Sequence, residues 1–536
     1  MPHGFPPAMT ADSARTDVLV VGAGPTGLML ALELARRGRR PAIIDRHSGP
    51  SVQTRALGVQ ARTLEIYAHL GIVEEALSLG QRATGANLWA EGERAARVPL
   101  GDIGRDLSRF PFLLILGQDD NERLLGRALG SHGVAIEWDT ELVGLVQGPE
   151  SVAATVRRKD GSTGRIEARW VAGCDGAHSA VRSLSGIGFP GAPYEHVFFV
   201  ADTIATGPMV PDELNVYLWR DRFHLFFPMR GADHWRLVGI VPPDLRAKDD
   251  LDFDGLAPAL RRETGAGLAI ASCSWFSTYR IHHRRAARFR DRWCFLLGDA
   301  AHIHSPVGAQ GMNTGLQDAY NLGWKLALVA AGRAGARLLD SYEPERVPVA
   351  ERLLATTDRA FSLVVSDRRL ASLLRTRVFP HALAFAMRFD GVRKLAFRTV
   401  SQIGIRYPAS PLSEALPGLP RGAPTAGDRF PWLELKLSPD GPIEDLFARL
   451  DDARFHLIAI GQPLPPALGS DDLMRTHCVP DDPVNVRALE RARIPRPSFY
   501  LLRPDGHVGL AGARLEAGAV ARYLSERLTL RVPVAG

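Results

Sequence analysis

Cysteine is scarce in this sequence, which has only four in 536 residues: Cys174, Cys273, Cys294 and Cys478. No two of them have CxxC spacing, and no cluster of histidines accompanies them. This pattern argues against a disulfide-stabilised secreted domain and against a structural metal site. We therefore expect a reduced, cytoplasmic protein that holds no metal.

Lysine is also scarce, and basic residues are not concentrated anywhere. Lysine occurs at only five positions, so arginine supplies 60 of the 65 basic residues, and the formal net charge is +6. Proteins that bind nucleic acid usually carry a basic stripe or interleaved aromatic residues, and neither pattern occurs here. We expect a small-molecule partner instead, and the mild positive charge suits an anionic dinucleotide.

Long apolar runs are missing as well. The longest, near Leu326–Ala331, is far too short to cross a bilayer, so no membrane partner is predicted. Residues 1–16 contain Pro, Gly and Ala without a continuous apolar core, which predicts a disordered leader and not a signal peptide. The remaining composition is typical of a globular protein, and the length predicts two or three domains.

A glycine loop near the start of the chain is the first motif with chemical meaning. The apolar run Asp17–Val21 leads into Gly22-Ala23-Gly24-Pro25-Thr26-Gly27, and a helical pattern follows over Leu28–Arg37. A second apolar run, Pro41–Ile44, ends at Asp45. Strand, glycine turn, helix, strand and acidic residue in this order predict a βαβ unit that binds a dinucleotide.

The glycines have a physical role in such a loop. They let the backbone approach a pyrophosphate, whose charge then lies against the positive end of the following helix. We expect the loop residues to contact the pyrophosphate and Asp45 to accept hydrogen bonds from ribose hydroxyls; the loop residues concerned are Gly22, Gly24, Pro25, Thr26 and Gly27. The loop alone leaves NAD and FAD equally open.

Two further motifs distinguish FAD from NAD. Gly173-Cys174-Asp175-Gly176-Ala177-His178-Ser179-Ala180-Val181-Arg182 follows one apolar strand, and Leu297-Gly298-Asp299-Ala300-Ala301-His302 follows another. Together with the glycine loop they resemble, in the same order, the three fingerprints of the FAD-dependent aromatic hydroxylases, the family of p-hydroxybenzoate hydroxylase. The resemblance covers roughly residues 16–400.

The resemblance implies a role for each matching position. Asp299 would bind the ribityl chain of FAD, while Asp175 and Gly176 belong to a segment that serves both FAD and NADPH. Arg46, Arg55 and Gln118 match positions that touch the cofactor. The flavin ring would lie against the loop 306–313, where the implied contacts are Pro306, Gly308, Gly311, Met312 and Asn313.

The resemblance also implies the reaction. NADPH or NADH would reduce the flavin, and O2 would then form a C4a-hydroperoxide that hydroxylates a phenolic or polycyclic aromatic ring. Baeyer–Villiger oxygenation of a polyketide on the same fold stays open, as does a non-catalytic flavin-binding protein. A flavin-dependent halogenase is disfavoured because the sequence has no WxWxIP-type segment.

An alternating hairpin over residues 215–238 is expected to form the substrate wall. Phe223, Leu225, Phe227 and Met229 fall on one face by strand alternation, and Trp235 is a further candidate. Met229 stands where p-hydroxybenzoate hydroxylase is expected to carry an arginine for the substrate carboxylate, which favours a bulkier aromatic over a benzoate. Candidates for catalysis are Tyr217 and His224 in the same sheet, with Pro306 in the ring loop.

The expected fold is α/β with several domains. A Rossmann-like FAD-binding domain contains an inserted antiparallel-sheet substrate domain, and the last domain resembles the thioredoxin-like appendage of phenol and aromatic polyketide hydroxylases, here without a CxxC pair. We expect a monomer or homodimer. The predicted ranges are 17–190 with 280–345 (FAD-binding), 191–279 (substrate), 346–407 (helical), 408–431 (linker) and 432–536 (thioredoxin-like).

Overall fold

The structure is a computed structural model that describes residues 14–51, 56–246, 250–265, 267–304, 310–365, 374–438 and 441–531. Its helices, in chain order, are α1 Pro25–Arg36, α2 Ala61–His69, α3 Val73–Leu79, α4 Gln118–Ser131, α5 Ala180–Leu184, α6 Phe253–Thr264, α7 Gly311–Ala330, α8 Tyr342–Val365, α9 Phe379–Ala386, α10 Asp390–Val400, α11 Pro483–Arg491 and α12 Ala517–Arg522.

The strands are, in chain order, β1 Ala14–Val21, β2 Ala42–Ile44, β3 Gly58–Val59, β4 Gln81–Ala83, β5 Gly85–Ala90, β6 Glu93–Pro99, β7 Leu113–Ile115, β8 Ile136–Glu137, β9 Thr140–Gln147, β10 Val152–Arg158, β11 Thr163–Gly173, β12 Gly191–Thr206, β13 Leu214–Leu218, β14 Phe223–Pro228, β15 His234–Ile240, β16 Ala269–Arg285, β17 Arg290–Asp291, β18 Cys294–Leu296, β19 His302–Ile303, β20 Glu414–Ala415, β21 Glu434–Lys436, β22 Ile443–Asp445, β23 Phe455–Ile460, β24 Met474–Val479, β25 Ser498–Leu502 and β26 Val508–Gly512.

The first sheet brings together the three strands that precede the three motifs. Its order is β17–β18–β11–β1–β2–β8, with β10 attached to β11 and β9 attached to β10. β1 runs parallel to β2 and β11, and β11 runs parallel to β18, so Val21, Gly173 and Leu296 lie side by side at one edge. β1, α1 and β2 confirm the predicted βαβ unit, and the parallel pairing places all three motifs at the same sheet edge.

The start of β1 differs from the sequence prediction. Residues 14–16 of the predicted leader pair with Ile166, Glu167 and Ala168 of β11, so the first strand begins earlier than expected. The apolar pattern of the strand starts only after Asp17, because Ala14–Thr16 are exposed or partly buried. The sequence therefore did not reveal this extension. Residues 1–13 of the predicted leader lie outside the described residues.

The second sheet is larger than the predicted substrate domain of residues 191–279. Its order is β19–β16–β12–β15–β14–β13–β5–β6, and the predicted hairpin of β13 and β14 is present. β13 also pairs in parallel with β5, which brings residues 85–99 into the sheet from far earlier in the chain. Helix α6 covers one face of this sheet with Leu256 and Leu260. The other face is turned toward the first domain.

The C-terminal domain is built around a sheet of five strands. Its sheet has the order β20–β26–β25–β23–β24. The predicted linker at 408–431 is not a free connector, because β20 pairs with β26 and both Leu412 and Phe430 are buried. The apolar residues scattered among its prolines and glycines explain this packing. The thioredoxin-like classification stays a prediction.

A buried group of charges joins the C-terminal domain to the first domain. Arg503, which follows β25, donates to Glu345 of α8 at 2.5 Å, and Lys325 of α7 donates to the same carboxylate at 2.7 Å. All three side chains are fully buried. Burial alone would raise the pKa of Glu345, but Arg503 and Lys325 outweigh it and lower that pKa to about 2. The carboxylate is therefore charged and holds two cations in place.

We expect Glu345→Gln to lower the free energy of unfolding by about 3–5 kcal/mol, because the buried Lys325 loses its counter-charge and the buried Arg503 keeps only Asp505 as an ion-pair partner. A matched control is Glu351→Gln on the same helix, whose partner is Arg285 and whose side chain is 55% exposed. The control should cost less than about 1 kcal/mol. Urea denaturation followed by circular dichroism compares the variants, and equal midpoints for Glu345→Gln and the unmodified protein would contradict the prediction.

Candidate functional site

The glycine loop lies directly against the second motif. Gly22 has a φ of +101°, and a Cβ added there would overlap the carbonyl oxygen of Cys174. The backbone N–H of Cys174 donates to the Val21 carbonyl at 2.8 Å. Only glycine combines this backbone conformation with this close approach, so the identity of residue 22 fixes the distance between the two motifs.

The third motif meets the same loop from another side. Gly298 has a φ of +58°, and a Cβ there would lie 2.7 Å from Oγ1 of Thr26. A Cβ on Gly315 of α7 would overlap the same hydroxyl. The absence of side chains at these two positions lets Thr26, the third motif and α7 pack together at backbone distance.

Arg182, to which the sequence assigned no role, joins the second motif to the third. Its Nη1 donates to the Ala300 carbonyl at 2.9 Å, and its Nη2 donates to Ala177 at 2.7 Å. Within the second motif, Oδ2 of Asp175 accepts from the N–H of Ala180 at 2.6 Å. The sign of this linking role in the sequence is that Arg182 lies within the second motif.

These contacts surround one cavity of about 990 Å³. This volume lies at the upper end of the roughly 300–1,000 Å³ found for small-molecule sites. The cavity runs from the dinucleotide motifs to the second sheet. The predicted cofactor residues that line it are Gly22, Gly24, Pro25, Thr26, Asp45, Arg46, Gln118, Asp175, Gly176, Asp299, Gly311 and Met312.

Five other predicted cofactor positions have a different status, and one of them, Asn313, lies at the start of α7 without lining the cavity. Gly27 does not line the cavity; a Cβ there would overlap the carbonyl of Gly22, so the glycine serves the packing of the loop itself. Arg55, Pro306 and Gly308 lie outside the described residues. For Pro306 this also applies to its predicted catalytic role.

The dinucleotide end offers the features that FAD requires. Gly24 borders the cavity, and a Cβ there would meet no atom of the described residues within 4 Å, so the backbone is open to a ligand. The buried Oδ1 of Asp175 has no hydrogen-bond partner among the described residues, and burial raises the pKa of this carboxyl group. A buried polar atom of this kind is normally satisfied by a partner, and a ligand hydroxyl would satisfy it.

Asp45 shapes the loop and retains capacity for a ligand. Its Oδ2 accepts from the N–H of Ala23 at 2.7 Å, and its Oδ1 accepts from the N–H of His47 at 2.9 Å. A carboxylate offers about four acceptor positions, so ribose hydroxyls can still be bound. The same residue thus orders the loop and fits the predicted contact to the adenosine.

The position of Asp299 depends on Asp318, a residue to which the sequence gave no role. Asp299 lies exposed on the short 3-10 turn Gly298–Ala300 and borders the cavity. The buried Asp318 accepts from the N–H of Gly298 at 2.9 Å, from His302 Nε2 at 2.9 Å and from Arg346 Nε at 2.5 Å.

Asp318 carries its charge in the protein interior. Burial would raise its pKa, but Arg346 and His302 outweigh burial and hold the pKa below its usual value. The carboxylate therefore accepts all three hydrogen bonds and fixes the turn that carries Asp299. An acidic residue between apolar positions of a long helix was the signal in the sequence.

The N-terminus of α7 forms the cavity wall farther along. Gln310, which precedes the helix, borders the cavity together with Gly311 and Met312. The side chain of Asn313 is directed elsewhere: its Oδ1 accepts from the N–H of Gln60 at 2.9 Å, and its Nδ2 donates to the Gly58 carbonyl at 2.8 Å. The side chain of Asn313 therefore anchors the start of α7, while the predicted cofactor contact is through its backbone amide and stays a prediction.

The second sheet supplies an apolar wall opposite α7. Phe223, Leu225 and Phe227 of β14 line the cavity on the face that strand alternation predicted. Val238 of β15 pairs with Leu225 and lines the same face, as does Tyr279 of β16. The sequence did not reveal Tyr279, because β16 pairs with β12 through several register shifts that disturb its alternation.

Three other predicted residues lie on the far face of this sheet. Tyr217 pairs with His224, and Trp235 pairs with Pro228, all on the side that α6 covers. His224 contacts Glu263 of α6 at 2.9 Å. None of these side chains lines the cavity. The register of the antiparallel pairs, which the sequence did not specify, therefore corrects the predicted catalytic roles of Tyr217 and His224 and the predicted substrate contact of Trp235.

Met229 is also displaced from its predicted place in the wall. Strand β14 ends at Pro228, so the alternation does not extend to residue 229, which packs near Leu57 and Leu214 instead. Of the described residues, no lysine or arginine lines the apolar end of the cavity; Arg46 lies at the dinucleotide end. The preference for a bulkier aromatic substrate over a benzoate therefore depends on this distribution of charge and not on Met229.

The described residues contain neither a candidate metal site nor a membrane-spanning helix. No group of three or more His, Cys, Asp or Glu side chains is arranged to hold a metal ion. Within the same part of the chain, no helix has both the length and the apolar character needed to cross a membrane.

Comparison with known proteins agrees with this geometry. A family model for an FAD binding domain matches residues 15–357. The 6-methylpretetramide 4-monooxygenase of Streptomyces rimosus is 32% identical, over 94% of this chain and 92% of its own. The solved structure of an anhydrotetracycline hydroxylase from Streptomyces rimosus matches with a TM-score of 0.77 at 29% identity, covering 97% of this chain and 100% of that chain.

A second solved structure contains ligands. It is a ternary complex of aklavinone-11 hydroxylase with FAD and aklavinone, and it matches with a TM-score of 0.78 at 26% identity, covering 96% of this chain and 99% of that chain. The family match extends over more than half of the chain and includes all three motifs. The chain therefore belongs to the family with this FAD-binding domain and is a flavin-dependent monooxygenase of the aromatic hydroxylase type.

Proposed function

We propose that the protein uses NADPH or NADH and O2 to hydroxylate a bulky phenolic or polycyclic aromatic substrate. The observation that carries this proposal is a single cavity bounded at one end by three dinucleotide motifs and at the other by an apolar wall. Such a cavity can hold a cofactor and a large aromatic molecule in contact. FAD, when bound, supplies the acceptance of hydride, the activation of O2 and the transfer of oxygen.

In this proposal the chain holds FAD along the cavity. The backbone at Gly24 and the start of α1 face the pyrophosphate, and Asp45 binds the ribose. Asp299 and Asp175 accept from hydroxyls farther along the cofactor. Gly311 and Met312 at the positive end of the 20-residue helix α7 lie beside the ring, where helix-terminal N–H groups favour negative charge on the reduced flavin.

The substrate wall supports a neutral aromatic substrate. Phe223, Leu225, Phe227 and Val238 offer apolar surface, and no lysine or arginine of the described residues lines this end of the cavity to bind a carboxylate. The names of the similar proteins point the same way, since 6-methylpretetramide, anhydrotetracycline and aklavinone give three of them their names. An apolar wall also excludes water, which limits the unproductive release of hydrogen peroxide.

Tyr279 is the polar group we propose to orient the substrate. It borders the cavity beside the apolar wall, and burial raises the pKa of its hydroxyl to about 12. The hydroxyl therefore stays protonated near neutral pH and donates a hydrogen bond to an oxygen of the substrate. It is a positioning residue, because it sets the ring that faces the flavin without taking part in oxygen transfer.

The reaction can be tested with the purified FAD-containing protein, NADPH or NADH, air, and a panel that ranges from small benzoates to polycyclic phenols. We expect polycyclic phenols to accelerate NAD(P)H oxidation and to gain one oxygen atom with the ring system intact. A ring-expanded lactone would show Baeyer–Villiger oxygenation instead. No acceleration by any aromatic compound would contradict an oxygenase function and favour a non-catalytic flavoprotein.

We expect Asp299→Ala to purify with little flavin. The change removes a carboxylate that borders the cavity, and a hydrogen bond to a charged group contributes about 1.5–3 kcal/mol, or roughly ten- to hundred-fold in affinity. The ratio of flavin to protein absorbance measures the loss. Asp472→Ala, at a carboxylate that is 72% exposed in the C-terminal domain, is the control and should retain full flavin. Full occupancy in both variants would show that Asp299 does not bind the cofactor.

Tyr279→Phe should bind FAD normally but bind the aromatic substrate more weakly. Losing one neutral hydrogen bond costs about 0.5–1.5 kcal/mol, so we expect KM to rise roughly two- to ten-fold and more peroxide to form per NADPH oxidised. Tyr500→Phe is the control, because it removes a buried hydroxyl from the C-terminal core. If KM and peroxide release were unchanged in Tyr279→Phe, the proposed orienting role would be wrong.

A further inference from the structure

Exposed apolar side chains are concentrated in one short part of the chain. Of the twelve large apolar residues that are exposed in the described part of the protein, eight lie between residues 374 and 400. Scattered single residues of this kind are normal on a protein surface, but a contiguous group marks an interaction site. The eight are Leu374, Val378, Phe379, Phe385, Phe389, Val392, Leu395 and Val400, and we call them the 374–400 face.

The 374–400 face is the outer side of α9, of α10 and of the π-helical turn Leu374–Val378 that precedes them. Phe385 and Phe389 contact each other edge to face, with ring centroids 5.4 Å apart, and they are 58% and 55% exposed. The inner sides of the same helices are packed: Met387 contacts the β5–β6 hairpin, and Phe397 lies against Gly104. The helices are thus held in place by one side while their apolar outer side has no partner within the described chain.

The charge of this segment restricts what can cover it. Residues 374–400 contain six basic side chains and one acidic side chain, and all of the basic ones except the buried Arg375 are at least partly exposed. Arg388 and Arg398 are exposed, and neither forms an ion pair with a described residue. A second copy of the chain seated on the same face would bring like charges together, which opposes self-association. An anionic partner is favoured.

An anionic lipid surface matches both properties. Helices that lie in a membrane interface combine Phe and Leu on one side with Lys and Arg at the border, so that apolar side chains enter the lipid while cations bind the headgroups. The 374–400 face has this combination. The sequence predicted no membrane partner because nothing spans a bilayer, but a helix that lies in the interface needs no spanning segment.

We propose that the 374–400 face docks on an anionic lipid surface. Its position next to the cavity gives the docking a use. The side chain of Gln310, which lines the cavity, donates to the Thr399 carbonyl at the end of α10 at 3.3 Å, and Gln402 donates to the Gln310 carbonyl at 3.3 Å. Docking would therefore hold the cavity end of α7 near the lipid, where bulky apolar molecules accumulate.

Co-sedimentation of the FAD-containing protein with vesicles tests this proposal. We expect binding to phosphatidylcholine vesicles that contain roughly one-third phosphatidylglycerol, and about tenfold less binding to phosphatidylcholine alone or at high salt, where the charges are screened. The double variant Phe385→Asp/Leu395→Asp should lose at least about tenfold in binding. Val146→Asp, at an apolar residue that is 70% exposed elsewhere, should bind like the unmodified protein.

Flavin content and thermal unfolding show that each variant is folded. Absence of binding to either kind of vesicle would overturn the proposal, as would equal binding by the double variant. Sedimentation equilibrium without lipid tests whether a second copy of the chain occupies the 374–400 face. A dimer that the double variant abolishes would assign this face to self-association and overturn lipid docking.

Discussion

The close approach of three distant chain segments around Thr26 is the constraint on which the site depends. Parallel pairing brings Val21, Gly173 and Leu296 to one sheet edge, and Val21 and Leu296 are each followed within two residues by a glycine that lets another segment come near. The glycines lower the steric cost of contact, and Arg182 then joins the second motif to the third. A cofactor-sized cavity results because backbone, not side chains, fills the space between the motifs.

Buried charge extends this constraint through the protein. Asp318 fixes the turn that carries Asp299, and Arg346, which binds Asp318, also donates to the Tyr407 hydroxyl at 2.9 Å. The adjacent Glu345 receives Arg503 from the C-terminal domain. Isolated buried charges are costly, whereas paired ones specify one arrangement of the groups around them. The C-terminal domain thus packs against the same two helices, α7 and α8, that support the cofactor end of the cavity.

The sequence predicted the features that are local. The glycine loop and the two later motifs each depend on neighbouring residues. The same is true of the shared face of Phe223, Leu225 and Phe227, which strand alternation alone predicts. Features that depend on pairing were missed. Nothing near Trp235 states that it opposes Pro228, and nothing near β13 predicts its pairing with β5. Tyr279 was hidden because register shifts disturb the alternation of β16.

In the proposed function one cavity holds FAD and an aromatic substrate in contact, with the flavin ring between α7 and the apolar wall of β14. A crystal structure of the protein with FAD and a polycyclic phenol tests it most directly. We expect the pyrophosphate of FAD beside Gly24 and the flavin ring beside Gly311 and Met312. The phenol should lie between that ring and Phe223, Leu225 and Tyr279. A phenol bound on the far side of the second sheet, or a flavin ring remote from α7, would contradict it.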